Sequence, residues 1–226
     1  MAAHTSVSGS LRNVAFFDLD GTLVVGNTQY LLVKYFRSRR MVSPLFVMGS
    51  ALWFVGYKAG LFKVTEEARA RAASMLRGLT VPRVEAIMAG FTAEVLAPRA
   101  HQGALAALER HKEAHDRIVV LSAALEPVVR SLCGLLDVTD FVGAPCETIG
   151  SVYTGRLSGP TPYAELKAEV AKRYMEAWGV NSADCWAYAD HGTDVTLLRS
   201  VGHPVAVNPR PELAAVARQE GWPILT

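Results

Sequence analysis

Residues 14–25 read VAFFDLDGTLVV, an apolar run that ends in two aspartates one residue apart. Carboxylates this close repel each other and raise each other's pKa unless positive charge lies between them. Asp18 and Asp20 are therefore either turn residues that face water or ligands of a cation that take part in chemistry. In an extended chain, side chains two positions apart point to the same side, so both aspartates can face one small volume.

The composition describes a globular chain with balanced charge. Its 226 residues fit one large domain or a core with a modest insertion, and the 50% hydrophobic content predicts a packed core. The 23 basic and 21 acidic residues give a net charge of +2, which argues against a nucleic-acid surface. Three cysteines without CxxC spacing, and an N-terminus without an apolar signal core, favour a protein of the reducing cytoplasm without a disulfide framework.

Alternating strands and helices predict an α/β fold with a Rossmann-like parallel sheet. Apolar runs without polar alternation are typical of parallel strands covered on both faces. The predicted strands are residues 14–18, 118–122, 185–190 and 204–208. The predicted helices around them are residues 103–115, 127–136, 164–179 and 196–201, with a last helix that begins at Pro211.

Almost a hundred residues separate the first two predicted strands, and they have a helical pattern. Predicted helices cover residues 28–38, 44–60, 65–77 and 81–97, with a break at Gly78 and Pro82. The segment is too long for a simple crossover and too regular for a loop. We therefore expect a core domain of residues 11–25 and 101–226, with a helical cap, residues 26–100, inserted after the first strand.

One run of this cap, residues 41–57, carries no charge. It is shorter than the roughly 20 apolar residues that span a bilayer, so a buried or ligand-facing helix is the expectation and peripheral lipid contact an alternative. Its large apolar side chains either pack the cap's own core or line a pocket for a bulky, weakly charged alcohol. They are Leu45, Phe46, Leu52, Trp53 and Phe54.

Oxygen-bearing side chains end three of the predicted strands. Asp18 and Asp20 end the first, Ser122 ends the second, and Asp190 ends the third with Asp194 four residues later. In open α/β sheets the ligand site lies beyond the carboxyl ends of the strands. Three such strand ends together indicate a site rather than scattered surface residues.

These residues resemble the four motifs of the haloacid dehalogenase (HAD) superfamily. The matching elements are Asp18-Leu19-Asp20-Gly21-Thr22, Ser122, Lys167 and Asp190-x-x-x-Asp194. A helical insertion directly after the first motif resembles the cap of the phosphoserine-phosphatase-like subgroup. The run from Leu197 to Leu225 is also similar to small bacterial phosphatases of that subgroup.

The resemblance implies a Mg²⁺-dependent phosphatase that acts on a small-molecule phosphomonoester. Asp18 would be the nucleophile that forms an aspartyl-phosphate, and Asp20 the general acid and base. Lys167 would neutralise charge on the nucleophile and the phosphoryl group; Lys172, on the same helix, is the less favoured alternative. An aspartate at Asp20 favours phosphoester hydrolysis within the superfamily, and a mutase-type transfer stays open.

The remaining implied roles concern the metal and the phosphate. Magnesium would be bound by the carboxylates of Asp18 and Asp190 and the backbone carbonyl of Asp20. Ser122 and the backbone amide of Ala123 would hold phosphate oxygens. Asp194 and His191 would lie around these ligands, with Asp194 orienting the lysine or a metal-bound water.

Two departures from the family pattern bear on activity and substrate. The fourth motif, usually Gly-Asp-Ser, is Ala189-Asp190-His191, and His191 would crowd the metal's surroundings, add a titrating donor near the phosphate, or point away. Asn27 stands where phosphoserine phosphatases carry the glutamate that binds the substrate's amino group. We therefore expect Asn27 to contact a substrate other than L-phosphoserine.

Several alternatives stay open at the level of sequence. One is a phosphatidylglycerophosphate-type or other lipid-phosphate phosphatase at a membrane surface, supported by the uncharged run. Another is a catalytically quiet HAD-like protein that binds a phosphorylated ligand or a partner, supported by the altered fourth motif. A phosphatase step of a specialised biosynthetic pathway is a third. The sequence does not indicate the oligomeric state.

Two groups outside the motifs are expected to be exposed. His111 and His115, four residues apart and surrounded by charge, are interpreted as a solvated helix face rather than a metal site. Arg69, Arg71 and Arg77 are interpreted as mostly surface residues, one of which would meet an anionic substrate from the cap.

Overall fold

The computed structural model describes residues 13–43, the separate positions 45, 48, 49, 52 and 56, and residues 66–226, with only the backbone at 66–68. It has the predicted α/β architecture, a six-stranded parallel sheet flanked by helices. All three cysteines lie in the described part of the chain and are free, in line with the absence of a disulfide framework.

The main sheet has the strand order β3-β2-β1-β6-β7-β8, and β4 and β5 form a separate antiparallel hairpin. The four predicted strands correspond to β1, β2, β6 and β7. The others were not predicted, because β3 is a half-buried edge strand, the hairpin is largely exposed and β8 has only two residues. The strands are β1 Val14–Phe17, β2 Arg117–Leu125, β3 Asp140–Ala144, β4 Cys146–Ile149, β5 Val152–Leu157, β6 Trp186–Ala189, β7 His203–Val207 and β8 Ile224–Leu225.

The helices follow the predicted positions within a few residues, apart from two in the insertion. The predicted helix 65–77 ends at Ser74, and the predicted helix 81–97 changes to a π-helical turn at Thr92–Leu96 and a 3-10 turn at Ala97–Arg99, which contains Pro98. The α-helices are α1 Thr28–Ser38, α2 Glu66–Ser74, α3 Val81–Phe91, α4 Gln102–Glu113, α5 Glu126–Leu135, α6 Glu165–Trp178, α7 Val195–Arg199 and α8 Pro211–Glu220.

The uncharged run is helical at its described positions from residue 45 onwards, and its described large side chains in that helical part face solvent, whereas Met41 and Val42 before it pack against the core. Leu45, Met48 and Leu52 are 73%, 56% and 67% exposed, so the expectation of a buried or ligand-facing helix is wrong at these positions. Phe46, Trp53 and Phe54 lie outside the described residues. Within the described ranges, no helix is both long and apolar enough to cross a bilayer.

The central strand β1 separates two layers of buried side chains. Ala15 and Phe17 pack against the insertion helices and α4 and α5, whereas Val14 and Phe16 pack against α6, α7 and α8. All four are fully buried. Burial on both faces explains why this strand lacks polar alternation, as parallel sheets covered by helices require.

The hairpin holds the insertion beside the carboxyl edge of the sheet. The backbone N–H of Val81 donates to the carbonyl of Ser151 at 2.8 Å, and the N–H of Tyr153 donates to the carbonyl of Leu79 at 2.9 Å. The link between α2 and α3 is thus hydrogen-bonded to an element of the second half of the chain. This fixes where α2 approaches the site.

His111 contradicts the expected solvated face. It is only 7% exposed, with Nδ1 2.8 Å from the Asp116 carboxylate and Nε2 2.9 Å from the Tyr188 hydroxyl. The surrounding charges suggested water, but α4 turns this one position inwards, where Tyr188 of β6 and Asp116, directly before β2, satisfy both ring nitrogens.

Candidate active site

Three carboxylates meet at the carboxyl edge of the sheet. Asp18 follows β1, Asp190 follows the neighbouring β6, and Asp194 directly precedes α7. One carboxylate oxygen of each lies within 4.8 Å of the other two, and all three side chains are buried. The juxtaposition follows from parallel pairing, because neighbouring parallel strands end at the same edge.

Lys167, in the first turn of α6, contacts two of these acids. Its Nζ donates to Oδ1 of Asp18 at 2.6 Å and to Oδ2 of Asp194 at 3.0 Å, and Oδ1 of Asp194 is also 3.0 Å away. Lys172 is exposed and pairs only loosely with Glu176, at 3.7 Å. The fold therefore brings Lys167 to the acids and leaves Lys172 outside.

The acid cluster is short of positive charge. Burial raises the pKa of Asp18 to about 8; Lys167 opposes this effect, and Asp194 and Asp190 add to it. Burial likewise raises the pKa of Asp190 to about 6, with Arg210 opposing. Burial thus favours the protonated forms of Asp18 and Asp190 although Lys167 and Arg210 lie beside them. An all-oxygen cluster of this charge fits Mg²⁺.

Gly21 allows the loop after β1 to lie against Asp190. Its φ is +84°, in the left-handed region, and a Cβ built there would be 2.2 Å from Oδ2 of Asp190. A side chain at this position would occupy the place of the carboxylate. Glycine at position 21 is therefore required by the close approach of Asp190.

Asp20 is held by a different element from Asp18. Its Oδ1 accepts a hydrogen bond from the backbone N–H of Thr28 at 2.8 Å, at the N-terminus of α1. Burial raises the pKa of Asp20, and the hydrogen bonds from Thr28 lower it in part. Asp18 is thus held by a lysine, and Asp20 is held by the N-terminus of a helix.

Ser122 and Ala123 lie where β2 loses its regular pairing with β3. The strand continues to Leu125 rather than ending at Ser122, but its register shifts between Leu121 and Leu125. The hydroxyl oxygen of Ser122 accepts the backbone N–H of Ala124 at 3.1 Å. The predicted strand end is wrong, yet the irregular pairing still exposes this segment to the site.

His191 takes part in the turn that follows Asp190. Its Nδ1 accepts the backbone N–H of Thr193 at 3.1 Å and so caps the 3-10 turn Gly192–Asp194. Burial, followed by the charge of Arg210, lowers the pKa of His191, which favours the neutral ring. The histidine therefore faces the site as a capping residue and does not point away.

These residues surround one cavity of about 120 Å³. Asn27 belongs to its lining, although its side chain also caps α1 by accepting the N–H of Tyr30 at 2.9 Å. Sequence reasoning assigned no specific role to five of the lining residues. They are Gln29, Arg69, Tyr163, Thr193 and Arg210.

Arg69 differs most from its predicted environment. It is only 5% exposed, and its guanidinium carbon lies 4.5 Å from the ring centroid of Tyr163, in the loop before α6. Arg71 and Arg77 are exposed, as expected. The alternation of arginine and alanine in α2 gave no signal that Arg69 is the buried one, since its burial depends on contact with distant residues.

Arg210 reaches the site from the end of β7. Its Nε is 3.5 Å from Oδ2 of Asp190, and its backbone N–H donates to the Asp190 carbonyl at 2.9 Å. The sequence could have indicated Arg210, because it follows the end of the fourth predicted strand at Asn208. That strand, β7, pairs with β6, which leads to Asp190. The strand-end rule that selected Asp18 and Asp190 applies equally to this position.

Solved structures share this fold. A protein of unknown function from Bordetella pertussis superposes with a TM-score of 0.85 at 24% identity, covering 95% of this chain and 98% of that one. An apo-form phosphoserine phosphatase superposes with a TM-score of 0.66 at 17% identity, covering 95% and 92%. At these identities the likeness shows the fold.

The sequence is also similar to proteins named as phosphatases. The phosphoserine phosphatase SerB1 of Mycobacterium tuberculosis is 26% identical over 99% of this chain and 76% of its own length. The histidinol-phosphatase of Neisseria meningitidis is 27% identical over 95% of this chain and 99% of its own length. These two names give different substrates.

A family profile matches most of the chain. The sequence profile of the haloacid dehalogenase-like hydrolases matches residues 15–199. The inhibition of morphological differentiation protein of Streptomyces azureus is 32% identical over 95% of this chain and 78% of its own length. The profile covers most of the chain, the Streptomyces azureus relative covers nearly all of it, and the motifs meet at one site, so this chain belongs to the haloacid dehalogenase-like hydrolases.

Proposed function

We propose that this hydrolase is a phosphatase that cleaves a small-molecule phosphomonoester through an aspartyl-phosphate on Asp18. The observation that carries the proposal is the division of the aspartate pair. Asp18 belongs to a cluster with Lys167, Asp190 and Asp194, while Asp20 is held apart by the N-terminus of α1. A nucleophile and a proton carrier need this difference in environment.

In the first half-reaction, a carboxylate oxygen of Asp18 attacks phosphorus and the bond from phosphorus to the alcohol oxygen breaks. Asp20 gives its proton to the leaving oxygen, and its raised pKa favours the protonated form that this step needs. Lys167, 2.6 Å from Asp18, orients the nucleophile and faces the charge that develops on the phosphoryl oxygens.

In the second half-reaction, water attacks the phosphorus of the aspartyl-phosphate and Asp20 takes the proton from it. Phosphate leaves, and Asp18 is regenerated. Ser122 and the backbone amide of Ala123 would hold phosphate oxygens, which is supported by the position of both residues in the cavity lining. Asp194 would position Lys167 through the hydrogen bond that its Oδ2 accepts from Nζ.

Magnesium fits the acid cluster by charge and by donor type. Asp18 and Asp190 would hold it, together with the backbone carbonyl of Asp20, and it would supply positive charge to the phosphoryl oxygens and the nucleophile. Arg210 and His191 would lie beside these ligands rather than bind the metal. Residues 26–100 would act as a cap that excludes water and contacts the leaving alcohol.

Lipid-phosphate substrates are a second candidate. The supporting observation is the exposure of Leu45, Met48 and Leu52, which would let this part of the insertion rest on a membrane surface. A quiet binding protein has less support, because every acid and the lysine that turnover requires lie in one site. Asn27, a neutral residue, argues against L-phosphoserine as the substrate.

A panel of phosphomonoesters with and without Mg²⁺ tests the function: an aryl phosphate, sugar phosphates, amino-alcohol phosphates and lipid phosphates. Asp18→Asn should abolish turnover. Asp20→Asn should slow both half-reactions and allow the phosphorylated enzyme to be trapped and detected by mass spectrometry. Asp184→Asn, at an exposed aspartate, is the matched control. Equal activity of Asp18→Asn and wild type, or turnover without any divalent cation, would refute the proposal.

A further inference from the structure

The helical part of the uncharged run carries a row of apolar side chains that faces solvent. Leu45, Met48 and Leu52 are spaced i, i+3 and i+7, which places them on one side of the helix, and each is more than half exposed. Isolated exposed leucines are common on protein surfaces, but large apolar side chains aligned on one side of a helix form a patch that marks a contact surface. This set is called the apolar stripe below.

The charge of the chain is distributed unevenly around this stripe. Residues 21–65 contain six basic residues and no acidic one, so all 21 acidic residues of the chain lie outside this segment. The six are Lys34, Arg37, Arg39, Arg40, Lys58 and Lys63. The net charge of +2 for the whole chain therefore combines a basic segment of the insertion with a remainder that is net acidic. Such asymmetry is typical of a surface that meets a negatively charged partner.

Two of these cations are exposed directly before the stripe. Arg37 is in the last turn of α1, and Arg40 follows that helix, five residues before Leu45. Arg39 does not belong with them, because it donates to both carboxylate oxygens of Glu94 at 2.7 Å. The positive charge available beside the start of the stripe therefore comes from Arg37 and Arg40.

A further cation lies beside the middle of the stripe. A Cβ built on Gly49, the residue after Met48, would be 2.9 Å from a guanidinium nitrogen of Arg71 in α2. Arg71 is itself exposed. Apolar and positively charged groups thus occur side by side along this helix, in the arrangement that is typical of helices lying in the interface of a membrane.

The partner of this surface must accept apolar side chains and carry negative charge. A second copy of this chain would bring two basic segments together, and like charges repel. A bilayer with anionic lipid offers both features, because its acyl chains lie directly below its charged headgroups. We propose that the apolar stripe, together with Arg37 and Arg40, docks this protein onto an anionic lipid surface.

Docking would be independent of the phosphatase reaction. None of the described residues that line the cavity belongs to the apolar stripe or is Arg37 or Arg40. The surface would therefore act in the same way for a lipid phosphate and for a water-soluble ester, and it would place the insertion rather than the sheet against the membrane.

The test is co-sedimentation with vesicles of phosphatidylcholine alone and with vesicles in which roughly one third of the lipid is phosphatidylglycerol. Both lipids are phosphodiesters, so neither offers a phosphomonoester to the cavity. Wild type should bind the anionic vesicles at least 10-fold more tightly than the neutral ones. Raising the salt from about 0.1 M to about 0.5 M should weaken binding several-fold, because exposed charges are then screened over a shorter distance.

Paired variants separate the apolar from the charged contribution. Leu45→Ser combined with Leu52→Ser should weaken binding to anionic vesicles by at least 10-fold, whereas Ile149→Ser, at a side chain of the hairpin that is 71% exposed, should bind as wild type does.

Arg37→Gln combined with Arg40→Gln should weaken the same binding by about 10-fold or more, since each cation near the surface contributes about 5-fold. Arg218→Gln, at an exposed arginine of α8, is the matched control and should bind as wild type does. Circular dichroism checks that every variant is folded.

Three results would overturn the inference. Wild type might fail to sediment with anionic vesicles, or bind neutral and anionic vesicles equally. Ile149→Ser or Arg218→Gln might lose as much binding as the paired variants of the stripe and its cations. Self-association of wild type that is lost in the Leu45→Ser and Leu52→Ser variant, without vesicle binding, would assign the stripe to a second copy of the chain instead. Each of these results would leave the phosphatase function standing, since the vesicle assay measures no turnover.

Discussion

Replacing Lys167 with methionine removes the only described ammonium group that contacts the acid cluster while keeping a side chain of similar length. The Nζ atom lies 2.6 Å from Asp18 and 3.0 Å from Asp194, and the lysine is 4% exposed. Breaking a buried pair by removal of one partner costs about 3–5 kcal/mol, because the remaining charge is left without compensation. We expect this loss in the free energy of unfolding at pH 8 with a chelator present.

The loss should shrink in acid. Without the lysine, nothing from Lys167 opposes the effect of burial on Asp18, so the folded pKa of this carboxyl rises further above the unfolded value of about 3.9 and it takes up a proton in the folded state. Protonating one such group costs about 1.4 kcal/mol for each pH unit above that value, which is only about 1.5 kcal/mol at pH 5. For a raised folded pKa, stability is present at low pH and is lost as pH rises through that pKa. The deficit of Lys167→Met at pH 5 should therefore fall to about 1–3 kcal/mol.

Urea denaturation at pH 5 and pH 8, followed by circular dichroism, measures both values. Lys172→Met is the control, since Lys172 is an exposed lysine on the same helix and its removal should change stability by about 0.5 kcal/mol or less. The reasoning would fail if Lys167→Met were as stable as this control at pH 8, or if its deficit increased on acidification.

Three further predictions follow from other contacts. Mg²⁺ should raise the midpoint of thermal unfolding more at pH 8 than at pH 5, because burial raises the pKa of Asp190 to about 6 and its proton must leave before a cation binds; an equal shift at both would contradict this. Gly21→Ala should abolish the Mg²⁺ stabilisation, since its Cβ would meet Asp190 at 2.2 Å, whereas Gly78→Ala, with a similar φ of +77° and open space, should cost about 1–2 kcal/mol and keep it. Tyr188→Phe should lower the free energy of unfolding by about 1–3 kcal/mol, because it leaves Nε2 of His111 without its buried partner; no change in urea midpoint would show that water replaces the hydroxyl.

The sequence was most informative where local pattern and chemistry coincide. Apolar runs on both faces of β1 and β6 can be recognised without the fold, because a strand buried on two sides needs no polar alternation. The spacing of Asp18 and Asp20 predicted that both face one small volume, and the oxygen-bearing side chains at the strand ends predicted one shared site. Lys167 was preferred over Lys172 by its place near the helix N-terminus, and the fold brings it to both acids.

Short or exposed elements escaped prediction. The two-residue β8, the edge strand β3 and the hairpin of β4 and β5 are stabilised by neighbours rather than by their own composition. The uncharged run gave the opposite error, since exposed side chains were predicted to be buried. Hydrophobicity alone does not determine which side chains the rest of the protein covers. Leu45 and Leu52 are exposed although their composition indicates burial.

By itself, the sequence determined the α/β class, the place of the insertion and the acids and lysine of the site, since these depend on periodicity and on residue types at strand ends. Only the tertiary structure decided which charged residues complete the cavity. Arg69 lies far from Asp18 in sequence and resembles a surface arginine locally, whereas Arg210, which follows a predicted strand end, could have been recognised. The burial of Arg69 arises from long-range packing, in which α2 is held against the hairpin, whereas Arg210 stays largely exposed and meets Asp190 because β7 ends beside β6. The sequence shows which residues carry a charge, but the burial and the neighbours of each charge depend on packing between distant parts of the chain.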